Sequence, residues 1–280
     1  MKIAYFIMAH HKPRQFARLF DAICNPVDLF LVHVDLKSPA PVHGAIAGQV
    51  SGRPNVHLLP SRPLAWGGWS IASIHLEAIR LLLERDPEWR YFVNLSGQDY
   101  PLKPAHAIRA ELGEQPERNY VEMATIDSLS RPLRIHLRRR LRYRRIEWAG
   151  HVIGTPLPLP RRNGIRTEWK GSGWYTLTRA FCEWITADPV ARRCVEALRY
   201  TYVPDEFLMQ TLGMNGPFAP TITGDNRREI VWTGGPHPST LTMQHRDRLL
   251  GSRADFARKF DEDVDAAILD VLARRIGVMI

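Results

Sequence analysis

Residues 91–102 read YFVNLSGQDYPL, and this stretch limits the possible folds more tightly than any other. Tyr91, Phe92, Val93 and Leu95 make an apolar run of strand length that stops abruptly at Ser96-Gly97-Gln98-Asp99. Pro101 has no N–H to offer a ladder, so the strand is expected to end at that turn. In α/β proteins ligands bind where strands end at their carboxyl edge. A small, hydrogen-bonding turn with a carboxylate suits a polar, hydroxyl-rich ligand there, although an ordinary turn has the same composition.

The run belongs to an alternating series. Residues 3–9 read as a strand, and 15–24 as a helix with Phe16, Leu19, Phe20 and Ile23 at helical spacing. Residues 29–34 are continuously apolar, as a strand covered on both faces would be. A short strand at 56–59 follows, then a helix at 70–85 with Ser70 as its N-cap. Residues 91–95 (strand), 105–112 (helix) and 120–123 (strand) complete the first half. This order predicts an α/β fold with a mostly parallel, doubly wound, Rossmann-like sheet.

The second half is more irregular. A Pro/Gly-rich loop (154–164) leads to Gly171-Ser172-Gly173 and a strand at 174–178. Helical patterns cover 179–187, 190–200 and 205–212, and a short strand (229–232) precedes a loop at 234–239. Residues 263–275 close the chain with a stripe of Val264, Ile268, Val271 and Leu272. No linker stands out, so residues 1–280 are read as a single domain.

At 280 residues and 45% hydrophobic composition, the chain can bury a large core. No apolar run approaches the length of a membrane span, and residues 3–9 are too short for a leader's core. Cys24, Cys182 and Cys194 are odd in number and far apart, which fits a reducing, cytoplasmic compartment without disulfides or a metal framework. The net charge of +9 is concentrated at Arg134, Arg138, Arg139, Arg140, Arg142, Arg144 and Arg145. That density implies an anionic partner: nucleic acid, acidic lipid headgroups or an acidic acceptor. Leu133, Leu137 and Leu141 at four-residue spacing predict an amphipathic helix that could rest peripherally on the inner face of an anionic membrane. A solvated basic helix has the same pattern.

Several short groupings could carry chemistry. His33 and Asp35 lie at the end of the second strand, where an acid can accept hydrogen bonds from a ribose or base. Neither this pair nor His10 with His11, adjacent residues expected to diverge, reads as a metal site. Zinc-type spacings are absent. In Trp66-Gly67-Gly68-Trp69-Ser70, glycines admit a close ligand, the helix start offers N–H groups, and the tryptophans can stack on a sugar or plug the core. Pro204-Asp205-Glu206 opens a helix. Asp205 reads as ordinary helix-start chemistry, whereas Glu206, if it faces a cleft, could act as a general base. Residues 256–261 (FARKFD) set Arg258 and Lys259 between aromatic anchors, a pairing suited to phosphate and equally to a solvated surface turn.

Taken in order, these segments resemble the core-2/I-branching glycosyltransferase family, which includes the peptide O-xylosyltransferases. The matching residues are Ala9-His10-His11, HVDLKS (33–38), WGGWS (66–70), NLSGQDYPLKP (94–104), GSGWYTLTRAF (171–181), PDEF (204–207), HPSTL (237–241) and FARKFDEDVD (256–265). Small size, the missing leader and the late HPSTLT loop look closer to a xylosyltransferase-like bacterial branch. The resemblance implies a GT-A-type fold over residues 1–280, inversion at the anomeric carbon, no divalent metal and no other cofactor. The co-substrate would be a UDP-sugar, carrying xylose or N-acetylglucosamine, and the acceptor a surface glycan or lipid-linked precursor. Carried over by motif, Glu206 is the catalytic base. Met8, Ala9, Asp35, Trp66 and Gly67 would lie around the uridine, Ser172 and Gly173 beside the donor sugar, and Arg258 and Lys259 on the diphosphate. Ser239 or Thr240 would add a hydroxyl contact. Trp69, Gln98, Asp99, Glu122 and Trp174 are candidates for the cleft wall or the acceptor. The sequence agrees in having no Asp-x-Asp at a strand end, while cations can neutralise a diphosphate as a metal does elsewhere.

The pattern also departs from the family. Xylosyltransferases often carry an acid where Gly173 stands, and the loop Pro236-His237-Pro238-Ser239 offers no equivalent of an extra diphosphate-binding arginine. Two other classes remain open: a nucleic-acid-binding or anionic-surface-binding module built on the arginine cluster, and a catalytically silent sugar-nucleotide-binding relative. The first leaves the WGGW, GQD and PDE segments unexplained and is disfavoured.

Overall fold

The structure is a computed structural model that describes residues 1–159, 164–234 and 237–278. Parts of the expected loops at 154–164 and 234–239, including Pro236, lie outside the described residues. The chain forms two compact units, one of Met1–Ser61, Val93–Pro116 and Arg227 onward, the other of Arg62–Phe92 and Glu117–Asn226.

In the first unit the strands Lys2–Ala9, Leu29–Val34 and Val56–Leu59 run side by side and parallel. The second half of Trp89–Ser96 is the next strand in the order, beside Lys2–Ala9. Leu29–Val34 is buried along its whole length, His33 included, as expected of a nearly all-apolar strand covered on both faces. The core is aromatic: Tyr5 stacks on Phe30 at 5.1 Å, and Phe16 and Phe20 of the helix Pro13–Ile23 stack at 5.8 Å. Each such side chain contributes about 1.5–3 kcal/mol by leaving water. A small second sheet sets Arg228–Ile230 parallel to Phe256–Arg258, which pairs antiparallel with Tyr100–Pro101. The long strand stops at Ser96, ahead of Pro101, which instead takes the edge of this small sheet, a position where a missing N–H costs nothing.

The second unit carries the long helix Trp69–Arg85, the strands Asn119–Glu122, Tyr175–Thr178 and Ile222–Gly224, and the helices Arg179–Ala187, Pro189–Leu198 and Asp205–Asn215. Ile222–Gly224 lies parallel to Asn119–Glu122, whereas Tyr175–Thr178 is antiparallel to it. The sheet is therefore mostly parallel, with one reversed neighbour. Phe92 stacks on Tyr175, whose hydroxyl meets Nδ1 of the fully buried His75 at 2.7 Å. Burial drives the His75 pKa down to about 3, so the ring is neutral.

Three expectations change. Ser70 is not the N-cap: the helix starts one residue earlier, capped by Gly68, and Ser70 Oγ instead accepts from the Ala65 N–H. The basic segment is not one helix, because the helix Arg131–Arg140 stops and a hairpin (Tyr143–Trp148, His151–Pro158) takes Arg144 and Arg145. The last helix begins only at Ala267, leaving Val264 exposed and the buried stripe on Ile268, Leu269 and Leu272.

Asp28 anchors the first unit. It is fully buried, accepts from the Ile3 N–H at 2.9 Å and pairs with Arg109 at 2.7 Å. Asp28→Ala leaves that guanidinium uncompensated and should cost about 3 kcal/mol in urea unfolding, the low end for a broken buried pair.

Candidate functional site

In the first unit, three strand ends are tied together by main-chain bonds. Met8 O accepts from Gly97 N and Ala9 O from Asp35 N, both at 2.9 Å. Met8, Ala9, Asp35, Gln98 and Asp99, scattered in sequence, thus fall at one sheet edge. Asp35 is buried, and its Oδ1 accepts from Lys37 N at 2.9 Å. Asp99 turns inward: Oδ2 accepts from Ser96 N at 2.8 Å, and Oδ1 lies 3.2 Å from the Arg258 guanidinium. Burial raises the Asp99 pKa against the pull of Arg258, and lowers that of Arg258 against the pull of Asp99.

Residues 256–260 are a strand and its extension, not a helical turn. Phe256 and Phe260 are fully buried, Arg258 is buried and Lys259 half-buried. Phe260 N donates to Gln98 O at 2.9 Å, while Gln15 Nε2 donates to both Gly97 O and Phe260 O at 3.0 Å. Ser239 shares a hydroxyl contact of 3.0 Å with Thr233, and Leu241 N donates to Lys259 O. Sequence reading missed two residues here. Gln15, outside the helix's apolar spacing, is buried, and Arg228 is a second buried arginine near Asp99, stacked over Phe256 at 4.9 Å. Burial brings the Arg228 pKa down to about 10. The His10 and His11 rings do not diverge; they lie 3.9 Å apart.

In the second unit the Gly171-Ser172-Gly173 turn, the end of Asn119–Glu122 and the start of Asp205–Asn215 meet. Gly171 N donates to Glu206 O at 2.9 Å, and Gln210 Nε2 bridges Glu122 O (3.0 Å) and Ser172 O (3.1 Å). A Cβ on Gly171 would run into the Glu122 carbonyl, and one on Gly173 would sit 2.6 Å from Asp205 Oδ2. The space beside residue 173 is therefore already filled by a carboxylate, that of Asp205. Ser172 Oγ accepts from Trp174 N at 3.1 Å. Val203, two residues before Asp205, has φ +53°, a strained value for a β-branched residue, and its N–H donates to Gly67 O at 2.8 Å. Gly67 itself has φ +75° and packs under Tyr202, against whose ring the exposed Trp66 stands edge-on.

Two adjacent carboxylates have opposite surroundings. Glu206, in the first helical turn, pairs with Arg140 at 2.9 Å and stays partly exposed. Asp205 has Oδ1 buried without a hydrogen-bond partner; burial, then the charge of Glu206, push its pKa up to about 7. Glu122 is also raised, by burial. Trp69 stands at the wall of a cavity of about 360 Å³, together with Arg62, Ser70, Arg145, Glu147 and Tyr200.

The first unit thus holds a strand-edge turn with buried cations beside it, and the second a paired glutamate at a helix start. The chain belongs to the core-2/I-branching enzyme family, whose model matches residues 3–249. Human xylosyltransferase 2 is 28% identical over 294 residues, covering 97% of this chain and 33% of that protein. Mouse N-acetyllactosaminide beta-1,6-N-acetylglucosaminyl-transferase is 31% identical over 238 residues, covering 83% of this chain and 56% of that protein. The chain thus spans about a third to just over half the length of these relatives. A solved galactosyltransferase, LgtC, superposes with a TM-score of 0.49 at 10% identity, covering 100% of this chain and 98% of its own.

Gly171→Ala should lower stability by about 2 kcal/mol or more in urea titration, because the obstruction is backbone and cannot swing away. Asp205 makes stability depend on pH. With its pKa raised from 3.8 to about 7, its favourable contribution is complete below 3.8 and lost as pH rises through about 7. Asp205→Asn should therefore leave the melting temperature near wild type at acidic pH and raise it relative to wild type above neutrality.

Proposed function

We propose that the chain is an inverting glycosyltransferase that moves xylose or N-acetylglucosamine from a UDP-sugar to a hydroxyl of a glycan or lipid-linked acceptor. Residues 1–280 act as one glycosyltransferase domain of GT-A type, in the cytoplasm. The names of the relatives support the sugar classes. The observation that carries the mechanism is the carboxylate of Glu206, fixed at a helix start beside the glycine turn and paired with Arg140.

In this reading Glu206 takes the proton of the acceptor hydroxyl as its oxygen bonds to the anomeric carbon. The bond from that carbon to the β-phosphate oxygen breaks, and UDP leaves with the bonding electrons. Arg258 and Lys259 oppose the charge that develops on the diphosphate, a task requiring no divalent metal. Met8, Ala9 and Asp35 hold the uridine, and Ser239 adds a hydroxyl. Trp66, Gly67, Ser172 and Gly173 contact the donor, while Trp69, Gln98, Asp99, Glu122 and Trp174 serve the cleft wall or the acceptor. The three cysteines are free, two of them buried, which supports a reducing compartment.

Glu206→Gln keeps the shape of the side chain and removes its basicity. Turnover should fall roughly 10²- to 10⁴-fold while UDP still raises the melting temperature. A variant that turns over at the wild-type rate rules Glu206 out as the base. Activity should also survive excess EDTA, and its loss, restored by a divalent cation, would overturn the metal-free mechanism.

A further inference from the structure

The hairpin of the second unit is built with two dissimilar faces. Its turn, Ala149-Gly150, has φ +49° and +78°, the two-residue geometry that matches strand twist. Ile146 lies directly opposite Ile153, and Trp148 opposite His151. On the other face Glu147 accepts from Ser70 N at 2.5 Å, and Arg145 lies over the Tyr202 ring at 5.7 Å. That face is held to the protein.

The first face is bare. Trp148 is 73% exposed, Ile146 46%, Ile153 43% and Leu157 56%. A tryptophan can bury 150–250 Å², so four large apolar side chains left in water on one small ribbon mark a contact surface. The neighbouring helix Arg131–Arg140 adds exposed Leu133 and Ile135 among exposed Arg131, Arg138 and Arg139. Residues 131–145 contain eight arginines and no acid.

We propose that this hairpin, with the helix before it, docks the protein on an anionic lipid bilayer. Trp148, Ile146 and Ile153 enter the headgroup boundary, where tryptophan is favoured, and the arginines meet the acidic headgroups. The apolar face decides between anionic partners: a polynucleotide or acidic glycan would engage the cations and could stack on Trp148, but would leave Ile146, Ile153 and Leu157 in water. A second copy of the chain pairing through the same patch would set arginine against arginine. The inference is independent of the catalytic reading, since it concerns where the protein sits.

The test is co-sedimentation with vesicles of phosphatidylcholine alone or mixed with phosphatidylglycerol. The protein should bind the mixed vesicles, and its tryptophan emission should shift to the blue, a shift absent in Trp148→Phe. Ile146→Ser combined with Trp148→Ser should weaken binding severalfold. Arg131→Glu combined with Arg139→Glu should weaken it roughly tenfold or more. All these positions are exposed, and melting curves verify folding. Failure to bind the mixed vesicles, equal binding to neutral ones, or unchanged binding by the Ile146 and Trp148 double variant overturns the proposal. So does a dimer in sedimentation velocity that Trp148→Ser dissolves.

Discussion

Gly171 has room for a hydrogen and nothing larger, and the second unit's candidate chemistry depends on that. Its N–H reaches the carbonyl of Glu206, while its α-carbon lies against the carbonyl of Glu122. Because the strand end, the turn and the helix start approach this closely, the main-chain positions from which Ser172, Asp205 and Glu206 project are fixed relative to one another. Gln210 completes the junction from the next helical turn, bonding the carbonyls on either side of the glycine. Val203 adopts its strained φ immediately before the helix. Strain of that kind persists only where surrounding bonds over-determine it, and the bond from Val203 N to Gly67 O is one of them.

Around this frame, charge is separated rather than pooled. Asp205 and Glu206 are consecutive, so two full negative charges would face each other at close range. Arg140 attends Glu206, while Asp205, with a buried and unbonded oxygen, is held towards its neutral form near pH 7. The first unit solves a related problem with Asp99, which satisfies a main-chain N–H and shares its charge with Arg258 in a buried setting. Asp99 is thereby turned inward, between a main-chain N–H and a guanidinium.

The strands at 29–34 and 56–59 were legible to the residue, because short runs that are apolar but for one histidine each, bounded by polar turns, admit few alternatives. The GQD turn was legible as well, since a small polar break after such a run must sit at a sheet edge. What escaped were properties fixed by tertiary partners. Gln15 and Arg228 gave no periodic signal, because their burial depends on carbonyls and rings contributed by distant segments. Ser70 looked like a cap, but a carboxylate from Glu147, 77 residues away, meets its N–H instead. Val264 matched a helical stripe by spacing, yet the preceding turn at Asp261–Asp265 delays the helix until Ala267.

The arginine-rich segment was the hardest to read because composition cannot say which way each side chain points. Consecutive residues of an α-helix diverge by about 100°, so Arg139 and Arg140 must face different surroundings. Leu137, Arg140 and Leu141 fall on the inward side at helical spacing, and Arg140 spends its charge on Glu206. Arg138 and Arg139 take the outward side. The helix then ends, and the hairpin repeats the same division at a period of two: Arg145 and Glu147 inward, Ile146 and Trp148 outward. One continuous basic run in sequence is thus two amphipathic elements in space. The guanidinium that attends the candidate base is carried on the same helix that presents the outward cations.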